Sequence, residues 1–141
     1  MTDATIRTET APKPVGAYPH ARRVGNLIFL SGVGPRLAST NEIPGNVYDA
    51  NGKLVSYDID AQCRSVFANV RAILEASGAR WEDLVDVTVY LTDMARDFAA
   101  YNRQYAEHFT TAQPCRTTLG ITALPTPIAI ELKCVAALSE R

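Results

Sequence analysis

The sequence predicts an α+β domain, with one mixed sheet and two helices packed on one of its faces. Three observations carry this. Apolar residues recur at helical spacing in two stretches, 58–77 and 93–109. Between them Val85, Val87, Val89 and Leu91 alternate with Asp86, Thr88 and Tyr90, the period of a half-buried strand. Strand-like runs flank this unit, giving the order strands, helix, strand, helix, two strands, which suits helices gathered on one face of a sheet.

Each element has its own signals. In "ARRVGNLIFLSGVGP", Gly25-Asn26 separates two short apolar arms and reads as a hairpin turn. Residues 36–57 carry Pro44, Gly45, Asn46, Asn51 and Gly52 and read as a long loop with a small hairpin around "ANGK". The first helix places Ile59, Cys63, Val66, Phe67, Val70, Ile73, Leu74 and Ser77 on one stripe, with Asp58 or Asp60 as cap and Gly78 as stop. The second starts at an Asp93 cap, and its stripe is Met94, Phe98, Tyr101, Tyr105 and Phe109. Residues 115–122 and 127–137 read as two strands around "LPTP".

Composition narrows the function classes. A chain of 141 residues, 47% hydrophobic, suits one domain over 1–141 with a core that needs no staples. A net charge of -1 without basic blocks argues against nucleic acid or a membrane surface as partner. The three cysteines lack zinc or disulfide spacing and fit reduced thiols in a cytoplasm. Two histidines exclude a multi-histidine metal site within one chain. No apolar run reaches the ~20 residues that span a bilayer, and "MTDATIRTET" has no apolar signal core.

The candidates for chemistry are charges in strand-like surroundings. Glu131 stands alone within "PIAIEL", on the strand face opposite Ile128, Ile130, Leu132 and Cys134. It either pairs with a basic neighbour on a solvated face or serves at a subunit seam, orienting a water. Val135 shares its face, which a second copy of the chain would cover. Arg116 opens the "CRTTLG" run, either as a surface residue or as a fork for a substrate carboxylate. Tyr18 after "VGA" and Asn102 between Tyr101 and Tyr105 are weaker candidates, with core and solvent-facing roles as the plainer readings. "SGVGPR" lacks the remainder of a nucleotide loop, Ser31 lacks a nucleophile elbow, and Cys115 has no histidine partner.

The segments "APKPVGAY", "GNLIFLSGVGP", "FANVRAILEASGARWEDLVDVTVYLTDMARDFAAYNRQYAEHF", "PCRTTLGITALP" and "IAIELKCVA" together resemble the reactive intermediate deaminase family (RidA, also called YjgF) over nearly the whole chain. The resemblance implies a chorismate-mutase-like fold assembled as a trimer, or a pair of trimers, with clefts between subunits. It implies Arg116 as the residue that binds the substrate carboxylate and Glu131 as the one that positions water. Tyr18, Ser31, Gly32, Asn102 and Thr118 are implied in substrate binding. Arg and Glu are expected to converge from neighbouring strand ends. The implied reaction is cofactor-free hydrolysis of an enamine or imine acid to a 2-oxo acid and ammonia.

Within the family the resemblance is greatest to the 2-aminomuconate deaminases. Typical members make the 36–57 connection with far fewer residues, which points to a more specialised substrate. The second carboxylate of 2-aminomuconate needs a second cation. Arg36 or His20 is favoured among Arg22, Arg23, Arg36, Arg103 and His20. A general 2-aminoacrylate or 2-iminoacid deaminase is the alternative. So is a non-catalytic ligand-binding member, which would have no need of Glu131. A ribonucleolytic member would need a basic patch.

Overall fold

The structure, a computed structural model, describes residues 3–139. Six strands form one sheet: β1 (Ala4–Ile6), β2 (Ala21–Val24), β3 (Leu27–Leu30), β6 (Leu84–Leu91), β7 (Cys115–Gly120) and β8 (Ile130–Ala137). The order across the sheet is β1-β2-β3-β8-β6-β7. A separate two-stranded ribbon, β4 (Val47–Tyr48) and β5 (Leu54–Ser56), lies inside the long connection. The helices are α1 (Ile59–Ala76) and α2 (Met94–His108). Only β6 and β7 run parallel, because α2 carries the chain back between them; every other pairing is antiparallel. Among the described residues, no helix is long and apolar enough to cross a membrane.

Local chemistry sets the element ends. Val24 pairs with Leu27 across a two-residue turn, and Gly25 takes a positive φ of 63°, as a tight hairpin requires at its first position. Asp58 caps α1 by accepting from the Ala61 amide at 3.1 Å, and Asp93 caps α2 through the Arg96 amide at 3.0 Å. Gly78 follows α1 with a φ of 77°.

The alternation in β8 divides the sheet into two faces. Ile130, Leu132, Cys134 and Ala136 are buried under the helices, while Glu131, Lys133, Val135 and Ala137 occupy the other face. β6 adds Val87, Val89 and Leu91 to the core, and α1 adds Cys63, Val66, Phe67, Val70, Ile73 and Leu74. Burial pushes the Cys63 and Cys134 thiols up to about 12, so both stay protonated core side chains at neutral pH. The open face carries exposed Val24, Leu27, Phe29 and Leu119.

The structure differs from the sequence reading in four places. β1 was not anticipated; it adds to the hairpin edge through Ala4↔Arg23 and Ile6↔Ala21. The last two strands are not neighbours, because β6 lies between β7 and β8. They also start later or stop sooner than the 115–122 and 127–137 runs suggest. Phe98 is exposed, while Asp97 and Gln104 are buried, so the α2 stripe carries more polar atoms than its apolar pattern implies. The Tyr57 hydroxyl donates to Asp97 Oδ2 at 2.6 Å, and the Arg96 guanidinium lies 3.9 Å above the Tyr57 ring. Burial holds the Asp97 carboxyl above its ordinary value, against the pull of the Tyr57 hydrogen bond and Arg96.

Polar side chains on α1 stitch the long connection to the domain. Gln62, fully buried, accepts from the Ala129 amide at 2.8 Å and donates to Asn46 Oδ1 at 3.1 Å. Asn46 in turn donates to the Pro127 carbonyl at 2.9 Å, closing a loop of contacts at the entry to β8. Asn69 donates to the carbonyls of Gly34 and Arg36, and Ser65 to that of Pro35. Gln62→Leu keeps the volume but strands the buried Ala129 amide, and should cost about 1–3 kcal/mol. Urea unfolding at constant m-value reads this as a lowered midpoint; an unchanged midpoint contradicts the network.

Candidate active site

The candidate residues fall into two clusters, one on each side of the sheet. The first gathers at β7 and α2. The parallel register Val87↔Arg116 and Val89↔Thr118 puts Arg116 and Thr118 on the helix-covered face. There the Arg116 guanidinium lies over the rings of Tyr105 and Tyr101, 4.7 and 5.4 Å from their centroids. Its Nη1 donates to Asn102 Oδ1 at 2.8 Å. The Tyr101 hydroxyl and Thr118 Oγ1 share a hydrogen bond of 2.8 Å. Burial raises the Tyr101 phenol above its ordinary value, while Thr118 and Arg116 pull it down. Burial raises Tyr105 as well, and among the described residues its hydroxyl has no hydrogen-bond partner. An arginine held flat on two rings and tied at one nitrogen keeps its other donors for a planar acid.

The second cluster lies beyond the end of β3. Tyr18, His20, Ser31, Gly32 and Arg36 all line one cleft of about 40 Å³, walled by Pro12, Pro14 and Val33. The Ser31 hydroxyl donates to the Pro19 carbonyl at 2.7 Å, fixing the strand end against the segment that carries Tyr18. Tyr18 curls back over Gly16, and its hydroxyl accepts from the Val15 amide at 3.3 Å. Gly32 joins this cleft to Glu131: a Cβ on Gly32 would sit 3.0 Å from the carboxyl carbon of Glu131. Any larger residue there would displace the carboxylate.

Glu131 faces Tyr90 across the β8–β6 pair on the open side of the sheet. Among the described residues it makes no ion pair, which removes the reading of a neutralised surface charge. Lys133, two residues on, donates instead to the Leu30 carbonyl. Burial alone raises the Glu131 carboxyl above its ordinary value. A carboxylate that is desolvated, unpaired and set against a residue of the cleft is suited to accept and return a proton.

Two of the expected ligand cations are already engaged. His20 is buried; its Nε2 donates to the Pro12 carbonyl at 2.8 Å and its Nδ1 accepts from the Thr8 amide at 3.3 Å. Arg36 donates to the Lys13 carbonyl at 2.8 Å and to Asn41 Oδ1 at 2.9 Å. The expectation that Arg116 and Glu131 stand on neighbouring strand ends is corrected: they lie on opposite faces of the sheet with β6 between their strands. Sequence reasoning saw Tyr101 and Tyr105 only as core stripe. Their place on either side of Asn102, at i and i+4, was the available signal that one ring pair could carry a cation. Among the described residues no three His, Cys, Asp or Glu side chains gather as metal ligands.

This sheet, with two helices on one face and two polar clusters split between its sides, defines an α+β domain of the RidA/YjgF kind. The crystal structure of the YjgF gene product of E. coli matches it with a TM-score of 0.82 at 34% identity, over 95% of this chain and 98% of that one. The chain belongs to the Endoribonuclease L-PSP family, whose sequence model matches residues 8–138. A RutC family protein of Pyrococcus horikoshii is 40% identical, over 93% of this chain and 94% of that protein. Reactive Intermediate Deaminase A of the Arabidopsis thaliana chloroplast is 38% identical, over 94% of this chain and 65% of that longer protein. A 2-iminobutanoate/2-iminopropanoate deaminase of Dermatophagoides farinae is 31% identical, over 94% of each.

The raised Glu131 carboxyl has a consequence for stability. A folded-state value above the unfolded one means that the folded chain binds the proton more tightly, so stability falls as pH rises through that window. The window starts near the ordinary value of 4.5 and extends upward. Glu131→Gln should therefore be more stable than wild type at neutral pH, and the gap should close below about pH 4. Thermal melts across pH read this directly. A variant less stable than wild type at pH 7 would mean that the carboxylate is favourably paired.

Proposed function

We propose that the protein hydrolyses small enamine or imine acids to 2-oxo acids and ammonia. The observation that carries this is the unpaired, desolvated Glu131 set against Gly32, a residue that lines the Tyr18 cleft. Arg116, presented on two tyrosines, complements it as a carboxylate receptor. The deaminase names of the Arabidopsis and Dermatophagoides relatives support the same reading.

The chemistry needs only water and proton transfers. The enamine tautomerises to the imine, and Arg116 holds the adjacent carboxylate, drawing electron density from the imine carbon. Glu131 orients a water and takes one of its protons as the oxygen adds to that carbon. It passes that proton to nitrogen, giving a carbinolamine, then relays the carbinolamine's hydroxyl proton to the amine; the C–N bond breaks and ammonia leaves as the C=O bond forms. The raised carboxyl value suits a group that must both accept and give a proton. Asn102 and Tyr105 keep the guanidinium aimed, and Thr118 near the same edge offers a hydroxyl for the substrate nitrogen.

The two clusters serve one substrate only if different copies of the chain supply them. One copy's β7–α2 edge then meets the next copy's open sheet face, where Val24, Leu27, Phe29 and Leu119 offer apolar contact. Such a head-to-tail contact closes as a ring, and three copies make the smallest one. The reading is therefore a homotrimer, or a pair of trimers, with the site in each cleft between subunits and the protein resident in the cytoplasm. A finer reading takes 2-aminomuconate as substrate and 4-oxalocrotonate as product. What favours it is that the Tyr18 cleft adjoins a larger groove of about 570 Å³, more room than a three-carbon acid needs.

Two measurements test the proposal. Arg116→Ala should lower kcat/KM on freshly generated 2-aminoacrylate by roughly thirtyfold or more, with Arg116→Lys recovering part of it. Wild-type kcat/KM in Arg116→Ala removes the assignment. Arg116→Ala and Glu131→Gln, each inactive alone, should regain activity when unfolded together and refolded. At equal amounts about a quarter of all clefts in the mixture carry both native residues. No recovery from a mixture that light scattering shows to be assembled would mean that the site is not shared.

A further inference from the structure

We propose that Lys13, on the groove that adjoins the Tyr18 cleft, is the cation that receives the far carboxylate of an extended dicarboxylic substrate. This deepens the deaminase reading and rests on it for the reacting end. The groove is lined by Arg7, Thr8, Glu9, Ala11, Lys13 and Gly16, and shares Pro14, Tyr18 and His20 with the smaller cleft. Gly32, which touches Glu131, and Ser31 line the smaller cleft, and Tyr18 lines both that cleft and the groove that holds Lys13.

The engagement of Arg36 and His20 is what singles out Lys13. Their side chains grip consecutive carbonyls, Arg36 that of Lys13 and His20 that of Pro12. Both side chains therefore hold the strap from Pro12 to Tyr18 in place: His20 uses both ring nitrogens on backbone, and Arg36 is tied at both Nη atoms, to the Lys13 carbonyl and to Asn41 Oδ1. Lys13 lies between Pro12 and Pro14. Proline on both sides restricts its backbone to extended conformations. Its own ammonium makes no ion pair among the described residues, and neither does the Arg7 guanidinium. A cation on a stiff, anchored strap gives up little backbone freedom when a ligand arrives. Glu9 also lines the groove and opposes an anion there, so the subsite is a balance of two cations against one carboxylate.

The test compares two six-carbon dienoic acids of nearly the same shape, trans,trans-muconate with two carboxylates and sorbate with one. Neither carries the amino group, so binding is read without turnover, by titration calorimetry on the full chain. Wild type should prefer muconate by about tenfold or more, the contribution of one charged contact. Lys13→Ala should bring the ratio close to one, Lys13→Glu should reverse it, and Glu9→Gln should raise it. Lys53→Ala, the same loss of charge on the β4–β5 ribbon, should leave it unchanged. No preference in wild type, or a preference that survives both Lys13 substitutions, overturns the proposal. Ammonia release from 2-aminoacrylate is followed on the same samples. If wild type releases none while the Lys13-dependent preference persists, the deaminase reading fails and the anion subsite stands.

Discussion

The period-two alternation of β8 is the constraint on which the rest of the structure depends. The strand lies between β3 and β6 and pairs with both, so its register is held on two sides. Ile130, Leu132, Cys134 and Ala136 are all essentially fully buried beneath the helices. A slip of one residue would drive Glu131 and Lys133 into that core and expose four apolar side chains, which no surface contact could offset. Core packing therefore forces Glu131 to the open face. The carboxylate is desolvated there because Gly32 and the β6 residues crowd it, not because it is part of the core.

The same logic fixes Arg116 on the other side. β7 pairs in parallel with β6, and the register Val87↔Arg116 puts the arginine in line with a core residue. At an edge strand that position is not filled by the core; it opens over α2. Tyr101 and Tyr105 turn what would be an awkward charge into a supported one, since a guanidinium lies well on aromatic faces while keeping its edge hydrated. Each cluster is thus compatible with a folded single chain. Among the described residues Glu131 has no cation and Arg116 no anion beside it, so folding of the single chain does not depend on either charge being paired.

Much of this was legible in the sequence, for reasons that differ by element. α1, α2 and β6 are strongly periodic and carry caps of the expected kind, so Asp58, Asp93 and Gly78 mark their ends correctly. β1 has three residues and no period to read; it exists only because the hairpin edge offers it partners. The burial of Gln62 and Asn69 was hidden because amides look solvent-facing in an apolar stripe until the loop backbone they satisfy is known. That β7 and β8 are not neighbours cannot be read from two consecutive strands around "LPTP" alone. The crossover through α2 had already placed β7 on the outer edge of β6, leaving the inner edge to β8.

The candidate site shows the same division between local and non-local information. Residue types at Arg116, Glu131, Tyr18, Ser31 and Gly32 could be singled out one at a time, but their grouping is a property of topology. What the sequence could not indicate is which cations remain free. By residue type Arg36 and His20 are candidates as much as Lys13, and only the hydrogen-bond map separates those holding backbone from one that is not. The distinction is physical. A buried carbonyl left without a donor carries a desolvation cost, so the donors nearest the Pro12–Lys13 turn of chain are committed when the domain folds. Selectivity toward a ligand then falls to whichever charge the fold did not need, and in this cleft that charge stands on the strap the other two hold.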